Sequence, residues 1–427
     1  CMKKLMCLAV IFLTACGGGG GGGSSDTPVT PTPPSPPPTP QPQWASPIDL
    51  PQTTTSITGA FTSLVIPVDY NNDGYTDIVA HYYWNDWDST RTDTSDLLVF
   101  YTNDYGNWRI EKEISLRKTT RKYAKGDLNN DGIEDIAFAV NYEDGKKYNS
   151  CSDMSAKPVV LLSNSTSYDI VELGEPDWGH AVDIIDNKVT FAGFCGLTQS
   201  FVNSQPVEHP DVSGLTFKYV GDNIIDYSEG VRLITQTGET LDYLELDYTL
   251  VNIITWNGQE SPVKMIEWKG KTLIGAGFDT FEVFETTAVG KLAGRLIENY
   301  DPNVTYSETE LPLYQELVFI DTTYNTIDVK EYNIVEEDYF NFYQVADINN
   351  DYNLDIVTHL HFDTPGIYLS NSLGDITRYN GELPQDSTGI TKSMYHDLTR
   401  DDVGDIIQVS VDFDTPFIRY FKGKERL

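Results

Sequence analysis

Short runs of alternating apolar and polar residues recur along the chain, and polar or glycine-containing turns separate them. Examples are LLVFYTN (97–103), IAFAVNY (136–142) and VKMIEWKG (263–270). A period of two places successive side chains on opposite faces of a strand. No long stretch follows the 3.6-residue period of a helix. The pattern therefore predicts an all-β protein built from many short strands.

One acidic nine-residue pattern occurs four times, and an apolar run follows each copy. The copies are DYNNDGYTD at 69–77, DLNNDGIED at 127–135, DINNDYNLD at 347–355 and DLTRDDVGD at 397–405, named loop one to loop four. Side-chain oxygens stand at positions 1, 3, 5 and 9, and a carbonyl at position 7 adds another. Calcium accepts several oxygen ligands at flexible geometry. We therefore predict Ca²⁺ as the cofactor of these loops.

The predicted ligands share these five positions in every copy. They are Asp69, Asn71, Asp73, Tyr75 and Asp77; Asp127, Asn129, Asp131, Ile133 and Asp135; Asp347, Asn349, Asp351, Asn353 and Asp355; and Asp397, Thr399, Asp401, Val403 and Asp405. Gly74 and Gly132 allow a sharp turn at position 6, because glycine adopts positive φ without steric cost. Loop three has Tyr352 there and loop four has Asp402. We expect two good sites and two weaker ones.

Two other interpretations of these loops compete with that prediction. An EF-hand needs a Glu at position 12 and flanking helices, but position 12 is Ala80, Phe138, Thr358 and Gln408 within β-prone runs. The EF-hand interpretation fails on this point. Four solvated acidic turns without an ion remain an open alternative.

The spacing of the loops predicts a repeat architecture. Their first residues stand at 69, 127, 347 and 397, so neighbouring copies lie 58 and 50 residues apart, and the long gap divides into four steps of about 55 residues. A degenerate copy without ligands is visible around Asp183. Counting two further hidden copies, near 238 and 292, gives seven units. We predict a β-propeller over 46–427 with seven blades of about four antiparallel strands, closed radially so that strand edges are protected.

The D-x-N-x-D-G-x-x-D loops followed by Ile, at blade spacing, resemble the FG-GAP/VCBS repeats of integrin-type β-propellers. The resemblance implies that each loop joins the innermost strand of a blade to the second strand, on one face of the disc. The next connections then lie on the opposite face, and those of blades two and three carry Cys151 and Cys195. In an oxidising compartment such a pair of cysteines is expected to form a disulfide.

The N-terminus has the features of an export signal. Lys3 and Lys4 precede an apolar core, and Leu13-Thr14-Ala15-Cys16 resembles the lipobox of bacterial lipoproteins. The resemblance implies a signal peptide over 1–15, an acylated Cys16 that inserts in the lipid bilayer, and an outer-membrane location. Residues 16–45, rich in Gly and Pro, are expected to form a disordered tether.

Composition and motifs limit the functions that the chain can have. A net charge of −35 excludes nucleic acid as a partner, because such a field repels phosphates. Tyr82, Tyr83, Trp84 and Trp87 form the densest aromatic cluster and are candidate contacts for an extracellular protein or glycan. Packing of Tyr82 and Trp84 between blades is the alternative. His359 and His361 share a strand face, but no third metal ligand accompanies them. No catalytic motif is present.

The function that these features predict is that of a non-catalytic, calcium-stabilised binding module displayed at the cell surface. A polysaccharide lyase or hydrolase on a propeller scaffold and a structural role in envelope assembly are the alternatives.

Overall fold

The structure is a computed structural model. It describes residues 44–424, except 56, 58–59, 84–95, 117, 143–149, 165–167, 211, 213–215, 227–229, 285–286, 337–339, 350, 361–365, 372–375, 380–389, 402 and 411–416. The chain divides into two units, Cys1–Thr39 and Pro40–Leu427, and every described residue belongs to the second. The signal peptide, Cys16 and almost all of the tether lie outside the described residues.

Six antiparallel sheets of four strands each form blades. Blade one holds β2 (Phe61–Val68), β3 (Asp77–Tyr83), β4 (Leu97–Asp104) and β5 (Asn107–Ser115). Blade two holds β6 (Thr119–Gly126), β7 (Asp135–Asn141), β8 (Val159–Ser163) and β9 (Tyr168–Glu172). Blade three holds β10 (Gly179–Ile185), β11 (Lys188–Gly193), β12 (Thr198–Val202) and β13 (Gln205–Val207). Blade four holds β14 (Phe217–Val220), β15 (Asn223–Asp226), β16 (Gly230–Thr235) and β17 (Thr240–Glu245).

The last two blades come from the C-terminal part of the described chain, and the second of them adds one N-terminal strand. Blade five holds β25 (Phe340–Ala346), β26 (Asp355–Leu360), β27 (Gly366–Ser370) and β28 (Ile376–Arg378). Blade six holds β29 (Ile390–His396), β30 (Asp405–Ser410), β31 (Ile418–Phe421) and the N-terminal β1 (Ile48–Asp49).

A seven-stranded sheet, here called the extended sheet, lies between blades four and five in the chain. Its strands are β18 (Tyr248–Ile254), β19 (Glu260–Trp268), β20 (Lys271–Phe284), β21 (Thr287–Ile297), β22 (Tyr306–Ser307), β23 (Leu313–Asp321) and β24 (Asp328–Glu336). Their spatial order is β22-β18-β19-β20-β21-β23-β24. The helices of the described part are α1 (Cys151–Met154) and two 3₁₀ turns, Glu308–Glu310 and Thr323–Asn325. None of them is long and apolar enough to cross a membrane.

Apolar side chains bury both faces of the sheets and so hold the ring together. In blade one, Val65 and Ile78 pack toward blade six, whereas the alternate residues Ile66 and Val79 pack toward blade two. Five further clusters join two to three, three to four, four to the extended sheet, the extended sheet to five, and five to six. Burial on both faces explains why many strands read as nearly continuous apolar runs. The all-β propeller prediction is confirmed.

The two ends of the chain meet in blade six. Ile48 pairs with Tyr420 and Asp49 with Arg419, whose Nε lies 2.5 Å from an Asp49 carboxylate oxygen. Trp44 bridges Gly423, and the Ala45 N–H donates to the Lys422 carbonyl at 2.7 Å. The folded pairing therefore begins slightly before residue 46, where the sequence placed the boundary.

The predicted count of seven four-stranded blades is wrong. There are six such blades within the described residues, and residues 248–336 form the extended sheet instead. The uniform step of 55 residues fails because blades three and four are short and the extended sheet is long. The hidden repeats expected near 238 and 292 do not mark first hairpins: these turns lie at 221–222 and between Phe284 and Thr287.

Candidate functional site

The four acidic loops occupy equivalent places in four blades. Each joins the first strand to the second in blades one, two, five and six, with position 9 as the first residue of the second strand. The first strands of blades two, three and four contact one another in turn, and so do those of blades five and six, as innermost strands do. The loops therefore lie where the sequence resemblance implied, on one face of the propeller.

A shared set of hydrogen bonds shapes all four loops. The position 5 N–H donates to Oδ1 of the position 1 Asp at 3.0–3.2 Å. The position 7 N–H donates to Oδ1 of the position 5 Asp at 2.9–3.1 Å. The position 6 N–H donates to Oδ2 of position 1 in loops one, two and three. The acidic side chains thus turn inward, toward the backbone of their own loop.

The position 6 residue adopts a left-handed conformation in the three loops where it is described. Gly74 has φ of 95° and Gly132 of 85°, whereas Tyr352 has φ of 68°. A side chain with a Cβ is strained in this region. Tyr352 is also 98% exposed, so no packing of its ring offsets the strain. Loop three keeps the fold of the others at a conformational cost.

The position 9 carboxylates are wholly buried and anchor each loop to the third strand or just beyond it. Their Oδ1 atoms accept N–H groups at 2.6–2.8 Å from Asn103, Ser163, Ser370 and Gly423. In loops two, three and four, Oδ2 accepts the position 2 N–H. Burial raises the pKa of Asp77 to about 7 and that of Asp355 and Asp405 to about 6, and it raises the pKa of Asp135.

Two buried oxygens in the loops lack a hydrogen bond of good geometry. They are Oδ2 of Asp77, at position 9 of loop one, and Oγ1 of Thr399, at position 3 of loop four. The Tyr70 N–H lies near the Asp77 carboxylate and the Asp401 carboxylate near Thr399, so each oxygen is weakly satisfied and can accept a further partner. Both atoms are acceptors of the kind that a hard cation takes as ligands.

Basic side chains already neutralise part of loops one and four. Arg400 bridges from loop four to the Asp69 carboxylate of loop one at 3.0 Å, across the junction of blades six and one. Lys422 lies 3.0 Å from Oδ2 of Asp401. These contacts tie the two loops together and reduce their repulsion. The described contacts of loop two include no comparable cation on its position 1 or position 5 carboxylates.

The donor chemistry of the loops is all oxygen, which fits calcium better than a transition metal. Within the described ranges, however, no group of three or more His, Cys, Asp or Glu side chains is gathered closely enough to hold a metal ion. An ion would therefore need the Asn and Thr side chains and the position 7 carbonyl as well. Each carboxylate oxygen that accepts one N–H keeps a second lone pair for that purpose.

Cys151 and Cys195 form a disulfide on the opposite side of the blades. Their Cα atoms are 5.8 Å apart, and the bond joins α1, which follows the second strand of blade two, to the β11–β12 turn of blade three. The predicted pair is confirmed.

The predicted aromatic contacts separate into different environments. Tyr82 is only 1% exposed and its hydroxyl lies 3.0 Å from that of Tyr101 in the core between blades one and six. It is a packing residue and is not available to a ligand. Tyr83 is half-buried and stacks on His81 with the rings 6.2 Å apart. Trp84 and Trp87, like His361, lie outside the described residues.

A second aromatic cluster lies beside the disulfide and was missed from sequence. Trp178, His180 and Phe194 contact one another, with the His180 and Phe194 rings 4.0 Å apart and Phe194 48% exposed. Burial, followed by the positive charges of Arg121 and Lys122, lowers the pKa of His180 to about 4. The only sequence signal was the aromatic residues at both ends of a β-hairpin. We call this the His180 cluster.

A cavity of about 180 Å³ opens between blades two and three on the loop face. Its walls include Val160, Val189 and Phe201 from the interblade core, and Asn129 of loop two lies at its edge. Blade three joins its first two strands with the two-residue turn Asp186–Asn187 instead of a nine-residue loop. The cavity lies where the long loop two of blade two stands beside this short turn of blade three.

No protein-family model matches the chain, and no curated protein matches it. Similar solved structures include the WD40 domain of Neurospora crassa Pan2, at 7% identity and a TM-score of 0.49, covering 90% of this chain and 96% of that one. The RRP9 WD40 repeats match at 8% identity and a TM-score of 0.46, covering 90% of this chain and 100% of that one. Such low scores carry no argument about function. The propeller assignment rests on the ring of packed sheets, and the FG-GAP/VCBS resemblance stays a prediction.

Proposed function

We propose that this protein is a calcium-stabilised binding module of the FG-GAP/VCBS type, held at the bacterial outer membrane through an acylated Cys16. Calcium is structural in this proposal, and recognition of an extracellular protein or glycan takes place on the face opposite the loops.

The buried Asp77 carboxylate is the observation that carries the calcium part. Its Oδ2 lacks a hydrogen bond of good geometry, with only the Tyr70 N–H nearby, and Asp69 and Asp73 place further negative charge beside it. A cation in loop one would satisfy this atom and offset the repulsion among the three carboxylates. Asp69, Asn71, Asp73, Asp77 and the Tyr75 carbonyl would hold it.

The other loops repeat this donor set with differences. Loop two offers Asp127, Asn129, Asp131, Asp135 and the Ile133 carbonyl with the same backbone hydrogen bonds. Loops three and four are expected to bind more weakly, because Tyr352, with its positive φ, and Asp402 stand where loops one and two have glycine.

Calcium stoichiometry of the purified chain tests this part. Asp73→Ala and Asp131→Ala should each lower the number of tightly bound calcium ions by one in a calorimetric titration. Asp186→Asn, which removes an exposed charge from the two-residue turn of blade three, serves as the matched control and should leave the number unchanged. Absence of calcium binding by the wild-type chain would refute the calcium part.

The His180 cluster and Tyr83 support the location of ligand binding. They bring partly exposed aromatic rings, a histidine and nearby basic residues to the face opposite the loops. Aromatic faces with polar neighbours suit stacking against sugars or anchoring of a protein partner. Phe194→Ala should weaken capture of the ligand from glycan and envelope-protein mixtures, whereas the calcium content should stay the same.

The disulfide supports export of the chain, since stable disulfides form in oxidising compartments. Membrane attachment is tested by expressing the full chain and its Cys16→Ala variant in a bacterium and following incorporation of labelled palmitate. The wild-type chain should be labelled and sediment with outer membranes, and the variant should do neither.

A further inference from the structure

The β18–β19 hairpin lies toward one edge of the extended sheet and has a small apolar core of its own. On one face, Val251 and Ile253 pack with Val263, Ile274 and Ile297. Tyr300, Tyr306 and Leu311 from the following segment also pack against that core. One face of the hairpin is therefore covered by this chain's own residues.

The opposite face of β18 is exposed and apolar. Tyr248, Leu250 and Ile254 alternate with the core residues and are 50%, 66% and 39% exposed, and Trp256 in the adjoining turn is 79% exposed. Lys264 of β19 shares this face, with its ammonium group 4.6 Å from the centre of the Tyr248 ring. A row of large apolar side chains at strand spacing is unusual on a solvated surface.

One edge of β18 is open over most of its length. Its inner side pairs with β19 from Tyr248 to Ile254. On its outer side only Ile253 and Ile254 pair, with Tyr306 and Ser307 of β22. Among the described residues no strand pairs with the outer edge of Tyr248–Asn252. Such an edge presents main-chain donors and acceptors that another extended chain can complete.

The charges around this strand restrict what that chain can be. No charged residue occurs between Tyr248 and Ile254, although the protein as a whole is strongly acidic. Exposed Glu245 and Asp247 stand just before the strand, and Glu260 lies opposite its end. An uncharged strand with acidic residues at both ends complements a segment with an apolar centre and basic ends. A second copy of this chain would bring the same acidic ends together.

We propose that β18 is a docking strand. It takes an extended segment of a partner protein by strand addition along Tyr248–Asn252, with the segment's alternate apolar side chains beside Tyr248 and Leu250 and a basic end beside Glu245 and Asp247. This surface lies outside the acidic loops and the His180 cluster, so it adds a second binding activity to the one proposed above.

A labelled peptide with alternating valine and threonine over seven residues, between two pairs of lysines, is a direct probe for the wild-type chain. Fluorescence anisotropy should detect saturable binding, and a peptide with proline at the central position should bind at least about tenfold more weakly, a difference near 1.4 kcal/mol. Leu250→Glu should cause a similar loss. Thr249→Glu adds the same charge at an exposed neighbour on the other face and should change the affinity by less than about threefold.

Several outcomes would overturn the proposal. One is absence of binding to a chain whose circular dichroism and melting match those of a folded protein. Another is equal binding of the two peptides, which would reduce the effect to attraction between charges. A third is an equal loss in the two variants, which would show that the apolar face of β18 is not the binding surface. Concentration-dependent dimerisation that Leu250→Glu abolishes would assign the edge to a second copy instead.

Discussion

Two arcs of the ring close their first hairpins by different means. Blades five, six, one and two, the loop arc, use nine-residue acidic loops. Blades three and four use two-residue turns and, together with the extended sheet, form the turn arc. In the turn arc, Asp186 and Gly221 supply the positive φ that a tight hairpin needs, at 51° and 55°. In the loop arc, the buried carboxylate of the position 9 Asp holds the hairpin in place, because it accepts a backbone N–H from the third strand or just beyond it.

The difference shows what the acidic loops add to a hairpin. A two-residue turn constrains only its own two strands. The position 9 Asp of a loop also binds the N–H of a residue in or just after the third strand, as Asp135 does with Ser163, so three strands and the loop move as one unit. The loop arc is therefore expected to respond to ions and to charge, and the turn arc is not.

Removal of calcium should have the largest effect and should fall on the loop arc alone. At free calcium one hundred times the dissociation constant, each loaded loop adds about 2.7 kcal/mol to the free energy of unfolding. Two strong loops then contribute roughly 5 kcal/mol, and chelation should lower the melting temperature accordingly. Hydrogen exchange with and without chelator would locate the change. Equal deprotection of 179–284 and 61–163 would contradict the division into arcs.

Loss of the disulfide should have the second-largest effect on stability, because this bond joins the end of the loop arc to the start of the turn arc. The bond closes a segment with a sequence separation of 44 residues. Chain entropy then predicts a stabilisation of about 4 kcal/mol, and mutational series give about 2–5 kcal/mol. Urea denaturation of the Cys151→Ser, Cys195→Ser double variant measures it. If the loss of unfolding free energy in the double variant depends on calcium, the disulfide stabilises the fold through loop two and not independently of it.

Asp135→Ala should destabilise the loop arc by about 2–4 kcal/mol even without calcium. It leaves the buried N–H groups of Leu128 and Ser163 without their acceptor, and unsatisfied buried groups cost about 1–3 kcal/mol each. Asp131→Asn, at an exposed position of the same loop, keeps an oxygen acceptor for the Ile133 N–H; it is the control and should cost less than about 1 kcal/mol in chelator. Equal losses in urea titrations would show that position 9 has no anchoring role.

The same contrast explains what the sequence could predict. The nine-residue acidic pattern makes the loops of the loop arc recognisable in sequence. Their positions and their place between the first two strands were therefore predictable, and so was the all-β class. The turn arc carries only Asp186–Asn187 and similar short turns, which no spacing rule distinguishes from other turns. Pairing of Ile48 with Tyr420 joins the two ends of the chain and has no local signal. The burial of Tyr82 depends on Tyr101 and on a neighbouring blade, so the aromatic pattern could offer packing between blades only as one of two interpretations, and the structure decides for it.

The smallest effect should be that of acid on the turn arc, where it acts through His180. Burial and the charges of Arg121 and Lys122 lower the pKa of His180 to about 4, below the value near 6.5 of an unfolded histidine. Between these values the unfolded chain binds a proton that the folded chain does not. The stabilisation is complete above pH 6.5 and is lost as the pH falls toward 4.

His180→Phe removes this proton site and keeps an aromatic ring beside Phe194. The free energy of unfolding of the wild-type chain should fall by about 1 kcal/mol more than that of the variant between pH 7 and pH 5, after discounting for solvent screening. Melting curves in chelator at both pH values measure this difference while the loops hold no ion. Parallel pH profiles of the two chains would mean that His180 is protonated alike in the folded and unfolded states, and the acid sensitivity would then belong to the loop arc.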